Sequence, residues 1–240
     1  MVEKISIFEL MKSAFHLWKK HFVKIAVAGF IVYLPTQICI ELVSSLIEET
    51  IPLDDIQSLR LVHIYNGIRY LIGSVALLGI INFVVKILNN EEEQTAGEII
   101  LHGLKKWPKF IGLGFLAGLK ILGYTLLLII PGIYKSVRLS FLDCVVATNN
   151  NIFTDELKES ERLVENYWWK IFGFLLLMFL LSFLFELLFL PFVMLDPDSQ
   201  ILSLILGVTV QVFQTYFIVV RASYYFSIKE LKNETVILNE

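Results

Sequence analysis

Lys120, Lys135, Arg138, Asp143 and Glu186 are ionisable side chains set among stretches that are otherwise apolar. A charge at the centre of a hydrocarbon layer costs about 3 kcal/mol on insertion scales, so such groups need a counter-charge, water or a bound headgroup. Three roles satisfy that need: a polar path across a membrane, a lipid-headgroup site between helices, or buried pairs that fix helix register. A chain that turns at Pro131-Gly132 sets Lys120 and Asp143 equally far from the turn, at a depth where they can pair. Lys135 and Arg138 then sit near the outer interface or line a polar pocket. Glu186 stands among Phe185, Leu187 and Leu188 with no cation at its own depth, and Glu41 lies near the outer end of its apolar block.

A second group of residues suits headgroups. Trp18-Lys19-Lys20, Trp107-Pro108-Lys109 and Trp168-Trp169-Lys170 each stand where an amphipathic segment meets an apolar one. Indole rings settle at a membrane interface and Lys stems reach toward phosphate, so Trp18, Lys19, Lys20, Trp107, Lys109, Trp168, Trp169 and Lys170 are candidate lipid contacts. Arg221 is expected at the cytoplasmic interface with the same role. Gln37, Asn82, Gln211 and Gln214 can hydrogen-bond between helices. Gly112, Gly114, Gly118 and Gly123 offer a smooth face for close helix approach.

Catalytic constellations are missing. His16, His21, His63 and His102 are scattered without a Cys or carboxylate at ligand spacing, and GxSxG, P-loop and HExxH patterns are not found. Neither an enzyme nor a cofactor is expected. Net charge is −3, giving no basic field for nucleic acid. Cys39 and Cys144 lie far apart within apolar stretches and read as buried free thiols.

The elements that must position these groups are apolar blocks: Phe22 to Ile47, Ile68 to Leu88, Phe110 to Ile130, Trp168 to Leu190 and Ile201 to Val220. Each is close to or above the roughly 20 residues that cross a bilayer. With 56% hydrophobic and 18% charged residues and a mean hydropathy of +0.70, the chain is an integral membrane protein. A soluble enzyme, a nucleic-acid binder and a secreted disulfide scaffold are excluded. Lys4 to His21 is too charged for the apolar core of a cleavable signal.

Three amphipathic segments lead into apolar spans: Ile5 to His21, Thr95 to Trp107 (with Thr95 and Glu98 as a capping box) and Thr154 to Tyr167. They lie in the headgroup plane or pack on the protein's own cytoplasmic face. Val137-Arg138-Leu139-Ser140-Phe141 is echoed by Val220-Arg221-Ala222-Ser223-Tyr224, with Arg69-Tyr70 as a degenerate third copy. The expectation is an all-α, polytopic helical bundle of about six transmembrane helices plus three interfacial ones. It forms a single membrane domain over 1–240, built from three divergent units of roughly 1–90, 91–150 and 151–240. Lys and Arg gather on the amphipathic segments and the tail. The loops Glu48 to Gln57 and Val193 to Gln200 carry acids alone, which places both termini in the cytoplasm. Span four, about 133–149, is the short and charged one.

The run Ile130-Pro131-Gly132-Ile133-Tyr134-Lys135-Ser136-Val137-Arg138-Leu139-Ser140-Phe141, with Glu159 to Val164 and Trp168 to Gly173, resembles the membrane domain of some glycerophosphoryl diester phosphodiesterases. It is similar also to stand-alone YciC-type bacterial inner-membrane proteins, and Ile7 to Lys24 fits their opening helix. The resemblance spans most of the chain, and its specific part is the block from Pro131 to Arg138. A chain of 240 residues ending at Glu240 leaves no room for the phosphodiesterase's catalytic barrel, so hydrolase activity is not expected. The resemblance implies a helical module of the inner or plasma membrane, linked to envelope upkeep.

Two functions compete at this stage. One is a non-enzymatic protein that binds membrane lipid or a membrane partner. The other is a transporter or permease-like subunit of an export complex, an ABC-type assembly among them, using Lys120, Asp143 and Glu186. A role in immunity against membrane-active peptides is a third, for which no residue argues.

Overall fold

A computed structural model of the chain describes residues 6–50, 55–149, 153–195 and 199–237. In chain order the helices are α1 (Ile7–Lys20), α2 (Phe22–Thr50), α3 (Asp55–Leu88), α4 (Ala96–Leu127), α5 (Ile129–Arg138), α6 (Leu142–Thr148), α7 (Phe153–Val164), α8 (Trp168–Leu195) and α9 (Gln200–Ile237). Among the described residues there is no strand. Helices suit this composition because an α-helix satisfies its own backbone polar groups without water. Five of them, α2, α3, α4, α8 and α9, are long and apolar enough to cross a membrane. The all-α polytopic bundle read from the sequence is therefore the architecture observed.

The core centres on the second half of α3, where Leu78, Ile80, Ile81, Phe83 and Val84 are wholly buried. Against it packs α6, whose residues Leu142 to Ala147 are buried on every side. Its C-terminal end meets α4: His102 Nε2 lies 2.8 Å from the Ala147 carbonyl, and Lys106 Nζ donates to the Asn149 carbonyl at 2.6 Å. Carbonyls that α6 cannot satisfy internally are thus met from outside. In α1, Leu10, Ala14 and Trp18 repeat every four residues and face inward. In α7 the inward face is Glu156, Ser160, Leu163 and Val164.

Several expectations are corrected. The fourth span, 133–149, is not one helix but α5 and α6, separated by a turn at 139–141. Ten residues and seven residues are each too short to cross. The reversal falls at Leu128, which is extended (φ −163°), rather than at Pro131-Gly132. Pro131 sits in the first turn of α5, where its missing N–H is not needed, and Gly132 meets Thr125 of α4 so closely that a Cβ would collide.

The segment Thr95 to Trp107 is not a separate helix, because α4 continues through Pro108. Its capping box is present: Thr95 N donates to Glu98 Oε2 at 2.7 Å and Glu98 N to Thr95 Oγ1 at 3.3 Å. Gly114, Gly118 and Gly123 face open space. The close approach of α3 and α4 uses Gly79 and Gly103 instead, each packed on a backbone carbonyl (Ile99 and Val75) where a Cβ has no room. Cys144 is buried, whereas Cys39 is exposed on the bundle surface. Of the loop acids, Asp54, Asp196 and Asp198 lie outside the described residues.

Candidate functional site

The apolar helices α2, α3, α8 and α9 border an open cavity of about 890 Å³ whose mainly apolar walls carry a set of polar side chains. Tyr33 and Gln37 come from α2, Asn66, Arg69, Tyr70 and Ser74 from α3, Ser182 and Glu186 from α8, and Gln211, Gln214 and Arg221 from α9. Gly207 of α9 faces Gln37, and a Cβ there would stand 3.2 Å from the Gln37 amide.

Three local bonds hold the lining in place. Gln37 Nε2 donates to Glu41 Oε1 at 2.9 Å, Arg69 Nη1 to Asn66 Oδ1 at 3.3 Å, and Gln214 Nε2 to Glu186 Oε1 at 2.6 Å. Gln37 Oε1, Arg69 Nε, Gln211 Oε1 and Arg221 Nε are buried without a hydrogen-bond partner. Nearly all buried polar atoms in folded proteins are paired, so these atoms leave the lining with unmet hydrogen-bonding capacity.

An apolar groove of about 640 Å³ adjoins this cavity, between Met11, Phe15 and Trp18 of α1, Leu181 to Leu188 of α8, and Phe213 and Tyr216 of α9. Phe217 lines both spaces.

Asp143 does not pair with Lys120. Its Oδ1 accepts from Arg221 Nη2 at 3.0 Å and from the Cys144 N–H at 2.9 Å. Arg221 also donates to the Ser140 carbonyl. Because the turn comes earlier than Pro131 and α6 swings inward, Asp143 reaches the core, while Lys120 stays at the surface 4.0 Å from Glu161. Arg221 accordingly pairs with Asp143 inside the bundle. Lys135 Nζ lies 2.7 Å from Glu161 Oε1, and Arg138 Nη2 lies 4.0 Å from Glu161 Oε2. Glu186 has an amide partner, Gln214, where the sequence offered none.

Three junction tryptophans use their N–H groups inside the protein. Trp18 Nε1 donates to Thr215 Oγ1 (3.0 Å), Trp107 Nε1 to the Leu71 carbonyl (2.8 Å) and Trp168 Nε1 to the Tyr134 carbonyl (3.2 Å). Each indole fastens an amphipathic segment to a neighbouring helix. Lys109 is likewise turned inward, 2.8 Å from Glu156, which is fully buried. Lys19, Lys20 and Lys170 are exposed and Trp169 is 78% exposed, so these four keep a surface position.

Outside the spans, burial raises the Glu156 carboxyl above its ordinary range despite the adjacent Lys109. Burial also holds the His21 imidazole below its usual value, against the opposing pull of Glu93 at 3.7 Å. The Cys144 thiol is pushed well up by burial, with Asp143 adding to the effect, which leaves it unreactive. Among the described residues, no three of the His, Cys, Asp and Glu side chains gather as metal ligands would.

No family model, curated protein or solved structure matches this chain.

Sequence reasoning missed Glu156, Glu161, Asn66 and Arg69 as site residues. A signal for Glu156 was present: it shares an i, i+4, i+7, i+8 face with Ser160, Leu163 and Val164. Arg69 was noted solely as an echo of Arg138, and Asn66, one turn before it, marks the same face.

Proposed function

We propose that this chain is a non-enzymatic, multi-pass protein of the cell membrane that binds an amphiphile between α2, α3, α8 and α9. The observation that carries this is the cavity with its polar side chains and the apolar groove meeting at Phe217. A headgroup with both donors and acceptors suits Gln37, Arg69 and Gln211, whose open atoms comprise two carbonyl oxygens and one N–H. An acyl chain suits the groove beside α1.

In this reading α2, α3, α8 and α9 cross the bilayer, and α4 with α5 form a hairpin that leaves by the side it entered. Four crossings return the chain to its starting side, which agrees with basic residues at both ends and cytoplasmic termini. Relationship to the membrane domain of glycerophosphoryl diester phosphodiesterases is part of the same proposal.

Native mass spectrometry of the protein purified in mild detergent tests it. A reproducible amphiphile is expected to be retained by the wild type and lost from Arg69→Ala and Gln211→Leu. A bare wild-type protein overturns the reading.

A transport role has one observation in its favour. Glu186 places a carboxylate in the same cavity lining as Arg69 and Arg221, held by an amide instead of a cation. Glu186→Gln should then stop substrate flux in proteoliposomes while leaving binding intact. Flux equal to that of the wild type removes Glu186 from any such mechanism.

A further inference from the structure

The junction of α4, α5 and α7 lies apart from the cavity, and its charges do not balance. Among the described residues, the carboxylate that pairs with these cations is Glu161, 4.0 Å from Lys120, 2.7 Å from Lys135 and 4.0 Å from Arg138. Three cations on one acid leave a surplus of positive charge. Among the described residues a fourth cation, Lys232, stands near Arg138 together with Glu165 and Arg162, and its Nζ donates to the Arg162 carbonyl. Arg138 Nε is buried and has no hydrogen-bond partner. Lys120, with its side chain 46% exposed, is free to turn toward a ligand.

Two neighbouring features say what that ligand is attached to. Beyond the cations, Leu126, Leu127, Leu128, Ile129 and Ile130 form the tip of the α4–α5 hairpin, each 68–80% exposed. At 1.5 Å per residue, the tip stands about 12 Å from Lys120 and about 10 Å from Lys135. That is most of one leaflet, whose hydrocarbon is about 15 Å deep. Beside the cations, Tyr134 stacks on Trp168 at 5.6 Å, and the exposed Trp169 and Lys170 follow. An aromatic-basic cluster of this kind marks the headgroup level.

We propose that Lys120, Lys135 and Arg138 form a binding site for the phosphate of an anionic membrane lipid, with the lipid's chains lying along the hairpin tip. The phosphate takes charge-assisted hydrogen bonds from the guanidinium and the two ammonium groups, and Glu161 holds those groups in position while the site is empty. The site is independent of the cavity reading and stands if that reading fails.

The test is lipid binding to the full-length protein in mild detergent, followed by native mass spectrometry. The probes are phosphatidylglycerol, phosphatidylcholine and inorganic phosphate. Phosphatidylglycerol is expected to bind more tightly than phosphatidylcholine, and millimolar phosphate should not displace it. Lys120→Gln, at an exposed position that folding does not depend on, should weaken binding about fivefold, and Lys120→Gln with Arg138→Gln about 30-fold.

Glu161→Gln should tighten binding, an outcome that misfolding cannot imitate. Lys105→Gln, at an exposed lysine of α4 away from the cluster, should leave binding unchanged. Equal affinity for the two lipids, unchanged binding in Lys120→Gln and Glu161→Gln, or loss of binding in Lys19→Gln with Lys20→Gln instead overturns the proposal. Displacement by inorganic phosphate assigns the site to a free anion and overturns its lipid source.

Discussion

The two halves of α4 belong to one helix and live in different surroundings. From Ala96 to Ala117 it is locked into the bundle: Gly103 lies against the backbone of α3, His102 and Lys106 close the end of α6, and Lys109 meets a fully buried Glu156. From Gly118 onward its glycines face open space, its leucines are exposed, and its lysine shares the partly buried Glu161 carboxylate with two other cations. The same residue types therefore do different work according to what opposes them. A Lys opposite a buried acid holds the fold together, and a Lys on an over-subscribed acid is available to a ligand.

The largest test of this contrast removes each lysine. Lys109→Ala leaves Glu156 buried without its cation and should cost about 3 kcal/mol in denaturant unfolding from micelles, whereas Lys120→Ala should cost at most about 0.5 kcal/mol. Equal losses would break the distinction. The Lys109→Ala defect should also shrink toward acid. The Glu156 carboxyl is already raised by burial, so its neutral form is the one the fold tolerates. The stability linked to that proton is present below the ordinary carboxyl range and lost as pH rises through the elevated value.

The glycines come next. Gly103→Ala forces a methyl into the Val75 carbonyl and should cost about 2 kcal/mol, while Gly118→Ala should gain up to about 1 kcal/mol from helix propensity. Thermal unfolding of the two variants side by side decides it.

A smaller effect belongs to Trp107→Phe, which keeps the ring but loses the bond to Leu71. About 1 kcal/mol is expected, with no change in phosphatidylglycerol binding. The smallest is a pH effect at His21, whose imidazole burial keeps neutral. Because its folded value lies below the ordinary one, stability is full above about pH 6.5 and falls as pH drops through the depressed value. His21→Gln should flatten that slope in a melting-temperature series.

Much of this was legible because it is local. Apolar blocks dictated the long helices, Thr95 and Glu98 dictated a cap, and Trp18, Trp107 and Trp168 stood out as anchors. What they anchor to could not be read, since Thr215, Leu71 and Tyr134 are reached only through tertiary packing. The Lys120–Asp143 pairing failed for the same reason. It took the turn from Pro131-Gly132, yet proline fits the first turn of a helix as readily as it fits a reversal, and a shift of three residues rotates every later side chain. Glu156 and Glu161 were hidden in a segment whose charges resemble a solvated face. Its apolar spacing already showed which of them turns inward.

The link between Asp143 and Arg221 has a consequence for how the protein is made. The acid precedes its cation by 78 residues, which at ribosomal speeds is about 4 to 16 seconds of synthesis. Through that interval the carboxylate of α6 lacks the guanidinium that pairs with it in the folded protein. A product terminated anywhere before residue 221 never leaves that state. Quality-control proteases should therefore clear such truncations far faster than chains shortened after α9 has docked.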